Sequence, residues 1–157
     1  MASASKPNFV LAFLVGGLVA GFIDIFTAIF TFHMTPEMFG KLLSAGWLGR
    51  EAVKAGGPQI MALGFASHMG IAVLDALVFC IFAAWVPQMR RHWIVAGLVF
   101  GLCVYAVMNA IVLPFSALGG SKAPFNPLMT IINILEHMTL FALPIAYSAR
   151  RFLGKPA

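Results

Sequence analysis

Four long apolar runs separated by short polar stretches organise the chain. They extend near Asn8–Phe32, Ile60–Val86, Trp93–Leu113 and Leu128–Ala149. Each meets the requirement of about 20 residues for a helix to cross a hydrocarbon core of roughly 30 Å. The pattern predicts an all-α protein: a four-helix transmembrane bundle forming one integral membrane domain over residues 1–157. The first run is too long for the apolar part of a cleaved signal peptide, and only Lys6 precedes it as a basic side chain, so a retained helix is expected.

The connections carry their own signals. In Met34–Pro58, the longest of them, Thr35-Pro36-Glu37 reads as a helix start: a capping hydroxyl, proline at the first helical position, then an acid. Met38, Phe39, Leu42, Leu43, Trp47 and Leu48 make an apolar stripe beyond it. A short amphipathic helix lying in the outer interface is expected between spans one and two. Pro87–His92 is so short that spans two and three must form a tight hairpin, with Trp85 and Trp93 at one interface. Phe115–Pro127, rich in Gly, Pro and Ser, should be irregular, and Pro144 should kink span four. Gly16, Gly17 and Gly21 on span one and Gly97 and Gly101 on span three allow close helix approach, and they offer contacts to a second copy of the chain.

Composition strengthens the membrane reading. The chain is 61% hydrophobic and only 10% charged, against roughly 25% charged in ordinary soluble domains. The formal charge of +5 lies outside the spans. Lys6, Arg90, Arg91, Arg150, Arg151 and Lys155 fall on one side, and Lys41, Arg50, Lys54 and Lys122 on the other. The positive-inside rule then puts both termini in the cytoplasm. No basic stripe marks a nucleic-acid surface. Cys80 and Cys103, one in each of spans two and three, read as small buried hydrophobes.

Polar residues inside the spans carry the chemical interest. Asp24, Asp75 and Glu136 interrupt apolar runs, and His68 and His137 lie on the same segments. A charge at bilayer depth costs about 2.5–3.5 kcal/mol on insertion scales, so such groups turn toward a bundle interior. His68 and Asp75 are seven residues apart and share a face with Gly64 and Ala72. Gly97, Gly101, Tyr105 and Asn109 recur at intervals of four, and Asn133, Glu136 and His137 form one patch. Asp24, Thr27 and Thr31 share a face with Gly17 and Gly21. Counted from the cytoplasmic ends at the helical rise, Asp24 lies at roughly 24 Å, Asp75 at roughly 16 Å and Glu136 at roughly 20 Å. Asp24, Asp75, Glu136, His68, His137, Tyr105, Asn109 and Asn133 are therefore expected to form one buried polar site. No Lys or Arg lies in that layer. Burial without a cation favours the neutral acid, so at least one of the three is expected to be protonated at neutral pH.

His68, His137, Asp75 and Glu136 also form a candidate ligand set for zinc, iron or manganese. None of their spacings is diagnostic. A haem held by His68 and His137 would need both at one depth, and they differ by about 9 Å on the helical rise. His33 and His92 read as interfacial. His-Met occurs three times, but adjacent helical positions diverge by about 100°, which argues against a copper motif. No GxSxG elbow, P-loop or HExxH motif is present.

Gly16-Gly17-Leu18-Val19-Ala20-Gly21 resembles the opening helix of the YagU-type small bacterial inner-membrane proteins. Ser67-His68-Met69-Gly70 through Ala83-Ala84-Trp85-Val86-Pro87 resembles their second helix. Val95-Ala96-Gly97-Leu98-Val99-Phe100-Gly101 with Leu113-Pro114-Phe115 resembles the third, and Glu136-His137 followed by Arg150-Arg151 the last. Their first helix carries basic and acidic residues near its outer end, where this chain has His33 and Met34. The resemblance implies a bacterial inner-membrane location and a link to envelope or acid-stress physiology, and it supplies no catalytic residues. The resulting expectation is a non-enzymatic membrane protein with a protonatable polar site that handles a proton or small ion. Two other readings stay open: a haem- or metal-binding electron-transfer subunit, and an accessory subunit whose polar layer only holds helices together. Expected partners are the lipid bilayer and a homo-oligomer or larger membrane complex.

Overall fold

The computed structural model describes residues 7–119 and 125–154, and within them the fold is all helical. Lys6, Lys122 and Lys155, counted above in the charge balance, lie outside the described residues. Among the described residues, four helices are long and apolar enough to cross a membrane: α1 (Phe9–Thr31), α4 (Pro58–Trp85), α6 (Trp93–Phe115) and α7 (Pro127–Phe152). Between α1 and α4 lie α2 (Pro36–Leu48) and the single turn α3 (Arg50–Lys54). A short α5 (Pro87–Arg91) forms the hairpin between α4 and α6.

Local chemistry sets these boundaries. Asn8 Oδ1 accepts from Leu11 N at 2.9 Å, Thr35 Oγ1 from Met38 N at 3.2 Å and Asn126 Oδ1 from Met129 N at 3.2 Å. Each bond satisfies an N-terminal amide that has no partner within its helix. Pro36, Pro58, Pro87 and Pro127 occupy first-turn positions, where a missing N–H costs nothing. The chain leaves α2 through Gly49, whose φ of 81° is a left-handed conformation that suits a residue without Cβ.

Two of the spanning helices widen into π-turns, at Met108–Val112 in α6 and His137–Phe141 in α7. Each is followed within three residues by a proline, Pro114 or Pro144. A helical proline lacks the N–H bond and crowds the carbonyl four residues earlier. Those carbonyls, of Ala110 and Leu140, fall inside the two π-turns, where the wider winding accommodates the ring. The distortion that Pro144 brings to span four is thus a π-turn at His137–Phe141, ahead of the proline itself.

The helices meet along stripes of small residues. α1 packs on α4 and α7, α6 packs on α7, and α2 packs on α4. A Cβ added at Gly17 would lie 2.5 Å from Val73 Cα, and one at Gly101 would lie 2.6 Å from Met138 Cα. A Cβ at Gly16 would come within 3.1 Å of Ser148 Cβ, and one at Gly97 within 3.0 Å of Ala146 Cβ. The glycine faces expected to offer contacts to a second copy are therefore occupied by helix crossings inside this chain. Phe79, Cys80, Ile145 and a set of alanines, including Ala12, Ala76, Ala83 and Ala149, form the dry core in the half nearest α5. Cys103, expected to be buried like Cys80, lies exposed on the outer surface. Phe22, Phe26 and Phe30, each more than half exposed, project outward from α1, as lipid-facing side chains do.

Candidate functional site

The α2 segment does more than lie at an interface. Phe39, Gly40, Ser44 and Ala45 are buried against the first half of α4. The Ser44 hydroxyl donates to the Ile60 carbonyl, and a Cβ at Gly64 would collide with the Gly40 carbonyl. This close crossing brings Leu43 and Trp47 of α2 over the half of the bundle opposite the dry core. Beneath them is a cavity of about 90 Å³. That volume accommodates a few water molecules.

The ionisable side chains on this cavity come from three helices: Asp24 from α1, His68 and Asp75 from α4, and His137 from α7. His68 Nε2 lies 3.3 Å from Asp24 Oδ2, and the two side chains are only 15% and 16% exposed. The nitrogen is not aligned for a hydrogen bond to that oxygen, so the contact is a close electrostatic approach between two shielded groups. Phe39 presents its ring to the His68 imidazole at 6.1 Å, which limits where the imidazole can turn. Asp75 Oδ2 is buried and finds no hydrogen-bond partner among the described residues. Such an oxygen is costly unless a proton, a cation or water from the cavity completes it.

His137 is oriented by its own helix and by α6. Its Nδ1 lies 2.9 Å from the Asn133 carbonyl, and its ring meets Tyr105 edge-on at 5.6 Å. Neither Asn133 nor Tyr105 lines the cavity: Tyr105 touches His137 through its ring, and Asn133 does so only through its main-chain carbonyl. The π-turn that begins at His137 places this contact at the α6–α7 crossing, directly over Gly101.

Two of the expected members sit elsewhere. Glu136 accepts a hydrogen bond from Thr31 Oγ1 at 2.5 Å and does not reach the cavity. Adjacent positions on α7 diverge by about 100°, so Glu136 faces α1 while His137 faces the interior. Thr31 is seven residues beyond Asp24, about 10 Å along α1 at the helical rise, so the Glu136 carboxyl is directed away from Asp24. Asn109 is exposed and donates from Nδ2 to the Tyr105 carbonyl of its own helix at 2.9 Å. A four-residue interval overshoots a helical turn by about 40°, so the stripe begun at Gly97 has rotated by about 120° at Asn109. The π-turn starting at Met108 breaks the register as well.

The proposed metal ligands are divided in the same way. Among the described residues no three His, Cys, Asp or Glu side chains converge as a metal-binding group. Glu136 is engaged with Thr31, while His68 and Asp75 line the cavity from α4 and His137 from α7 without converging on one point. The cavity is also far below the roughly 300 Å³ at which cofactor-sized pockets begin, so a porphyrin between His68 and His137 does not fit this arrangement.

Sequence reading placed Leu43 and Trp47 on an interfacial stripe and did not assign them to the cavity. The signal present was their four-residue spacing on α2; the partner surface on α4 was not readable from it. Comparison of the chain with protein-family models, with curated proteins and with solved structures finds no match.

Proposed function

We propose that this chain is a non-enzymatic protein of a bacterial inner membrane, with both termini cytoplasmic, and that its interior site handles a proton or small cation. The observation that carries the reading is the shielded approach of Asp24 and His68, from separate helices, on a cavity that Asp75 also lines. An imidazole beside a carboxylate can hold a proton in either of two places, and water in the cavity can relay it to Asp75. The charged and titratable groups facing this pair are Asp75 on α4 and His137 on α7; α2 contributes Leu43 and Trp47, and α6 contributes Val104 and Met108. Intramembrane ionisable residues that pair across helices are the usual elements of proton relays. The inner-membrane location and the link to acid-stress physiology rest on the YagU-type resemblance, and the orientation on the basic residues.

The test is proton or potassium flux into proteoliposomes under an imposed gradient. The parent protein should exceed empty vesicles, and D24N, H68Q and D75N should each lower the flux by about a hundred-fold, the lower end of what one positioned acid–base group contributes. E136Q should leave it unchanged. Flux equal to that of empty vesicles, or equal loss in E136Q and D24N, contradicts the reading.

A further inference from the structure

The end of the bundle that holds α5 carries Arg90, Arg91, Arg150 and Arg151 and none of the acidic side chains. Asp24, Asp75 and Glu136 lie within the spanning helices, and Glu37 and Glu51 lie on α2 and α3 at the opposite end. Among the described residues these arginines make no ion pair.

Their arrangement is built. Arg90 Nη1 donates to the Leu153 carbonyl at 2.8 Å and the Gly154 carbonyl at 3.2 Å. This bond latches α5 to the end of α7 and draws the two arginine pairs into one region. Arg150 Cζ stands 5.8 Å over the Trp93 ring, and Tyr147 meets the same ring edge-on at 5.5 Å. A cation over an aromatic face is held in place by the ring while its N–H groups stay available to an acceptor. Arg91 and Arg151 are exposed beside it in sequence.

We propose that this end binds the phosphate of an anionic phospholipid, with Arg150, held on Trp93, as the principal ligand and Arg91 and Arg151 as supporting charge. Charge complementarity selects the occupant: four cations, with no acidic side chain beside them among the described residues, lie where the apolar spans end, at the depth of lipid headgroups. A planar guanidinium matches the paired oxygens of a phosphate. Tyr147, half exposed, presents an apolar ring and polar tip suited to the same depth.

The experiment reconstitutes the protein in vesicles of equal phosphatidylglycerol and phosphatidylethanolamine, extracts it gently, and counts retained lipids by native mass spectrometry. The parent should retain phosphatidylglycerol selectively. R150Q should reduce that selectivity about five-fold, the effect of one arginine at a charged surface. W93L, which leaves the charge unchanged, should also reduce it, whereas R150K should keep part of it and K41Q, at the other end, all of it. Equal retention of the two lipids by the parent overturns the proposal. So does selectivity that W93L leaves intact, because diffuse charge attraction needs no stacked arginine.

Discussion

At the residue scale, two glycines on the spanning helices test the packing. Gly101 faces the backbone of His137 and Met138, while a Cβ at Gly70 would meet nothing within 4 Å. G101A should therefore destabilise the protein by about 1–3 kcal/mol through overpacking against backbone that cannot rotate aside. G70A should show no loss. Thermal unfolding of both variants in one detergent checks this, and equal melting temperatures contradict it. The same scale explains why single residues were only partly legible. Asp24 and His68 announced themselves as ionisable groups in apolar runs. The partner of Glu136 could not be read, because Thr31 lies 105 positions away and nothing in either local pattern names the other. Asn109 misled because a four-residue interval resembles a helical stripe over one or two turns and departs from it over three.

At the scale of elements, α2 is the instructive case. Its start was legible in Thr35-Pro36-Glu37, because capping is local chemistry. Its docking on α4 was not, because it depends on Gly40 and Gly64 removing side chains from both sides of one crossing. The span boundaries were legible for the same reason as the α2 start: proline and capping residues sit beside each apolar run. The π-turns were not foreseen, although the prolines that provoke them are plain in the sequence. A prediction belongs to α2 itself. Lys41 Nζ lies 2.8 Å from Glu37, and that hydrogen bond together with the lysine charge holds the Glu37 carboxyl below its ordinary value of 4.5. A carboxyl lowered in the folded state adds stability above its unfolded value and loses it as pH falls through the folded one. E37Q should thus melt slightly below the parent at pH 7, and the difference should shrink as the pH falls below 4.5 and through the lowered folded-state value. Glu37 is exposed, so the gap at pH 7 should be small. A gap that persists in acid contradicts the assignment.

At the scale of the whole molecule, the fold divides its interior into two halves. Small and apolar residues close the half near α5 into a dry core. In the other half α2 folds over a cavity, and the ionisable groups gather there. Membrane helices lack a hydrophobic force to press them together, so close packing by glycine and alanine supplies cohesion at the dry end. The polar half is thereby free to hold groups that tight packing would strand. Asp24 and Asp75, from separate helices, line one cavity with His68 and His137, while Glu136 is set apart on Thr31. Infrared titration of the carboxyl band tests this most directly, in the parent, D24N, D75N, H68Q and E136Q. The Asp24 band, identified by its loss in D24N, should change its titration midpoint in H68Q and D75N and hold it in E136Q. An Asp24 band indifferent to His68 and Asp75, or moved as far by E136Q, contradicts a shared interior centre.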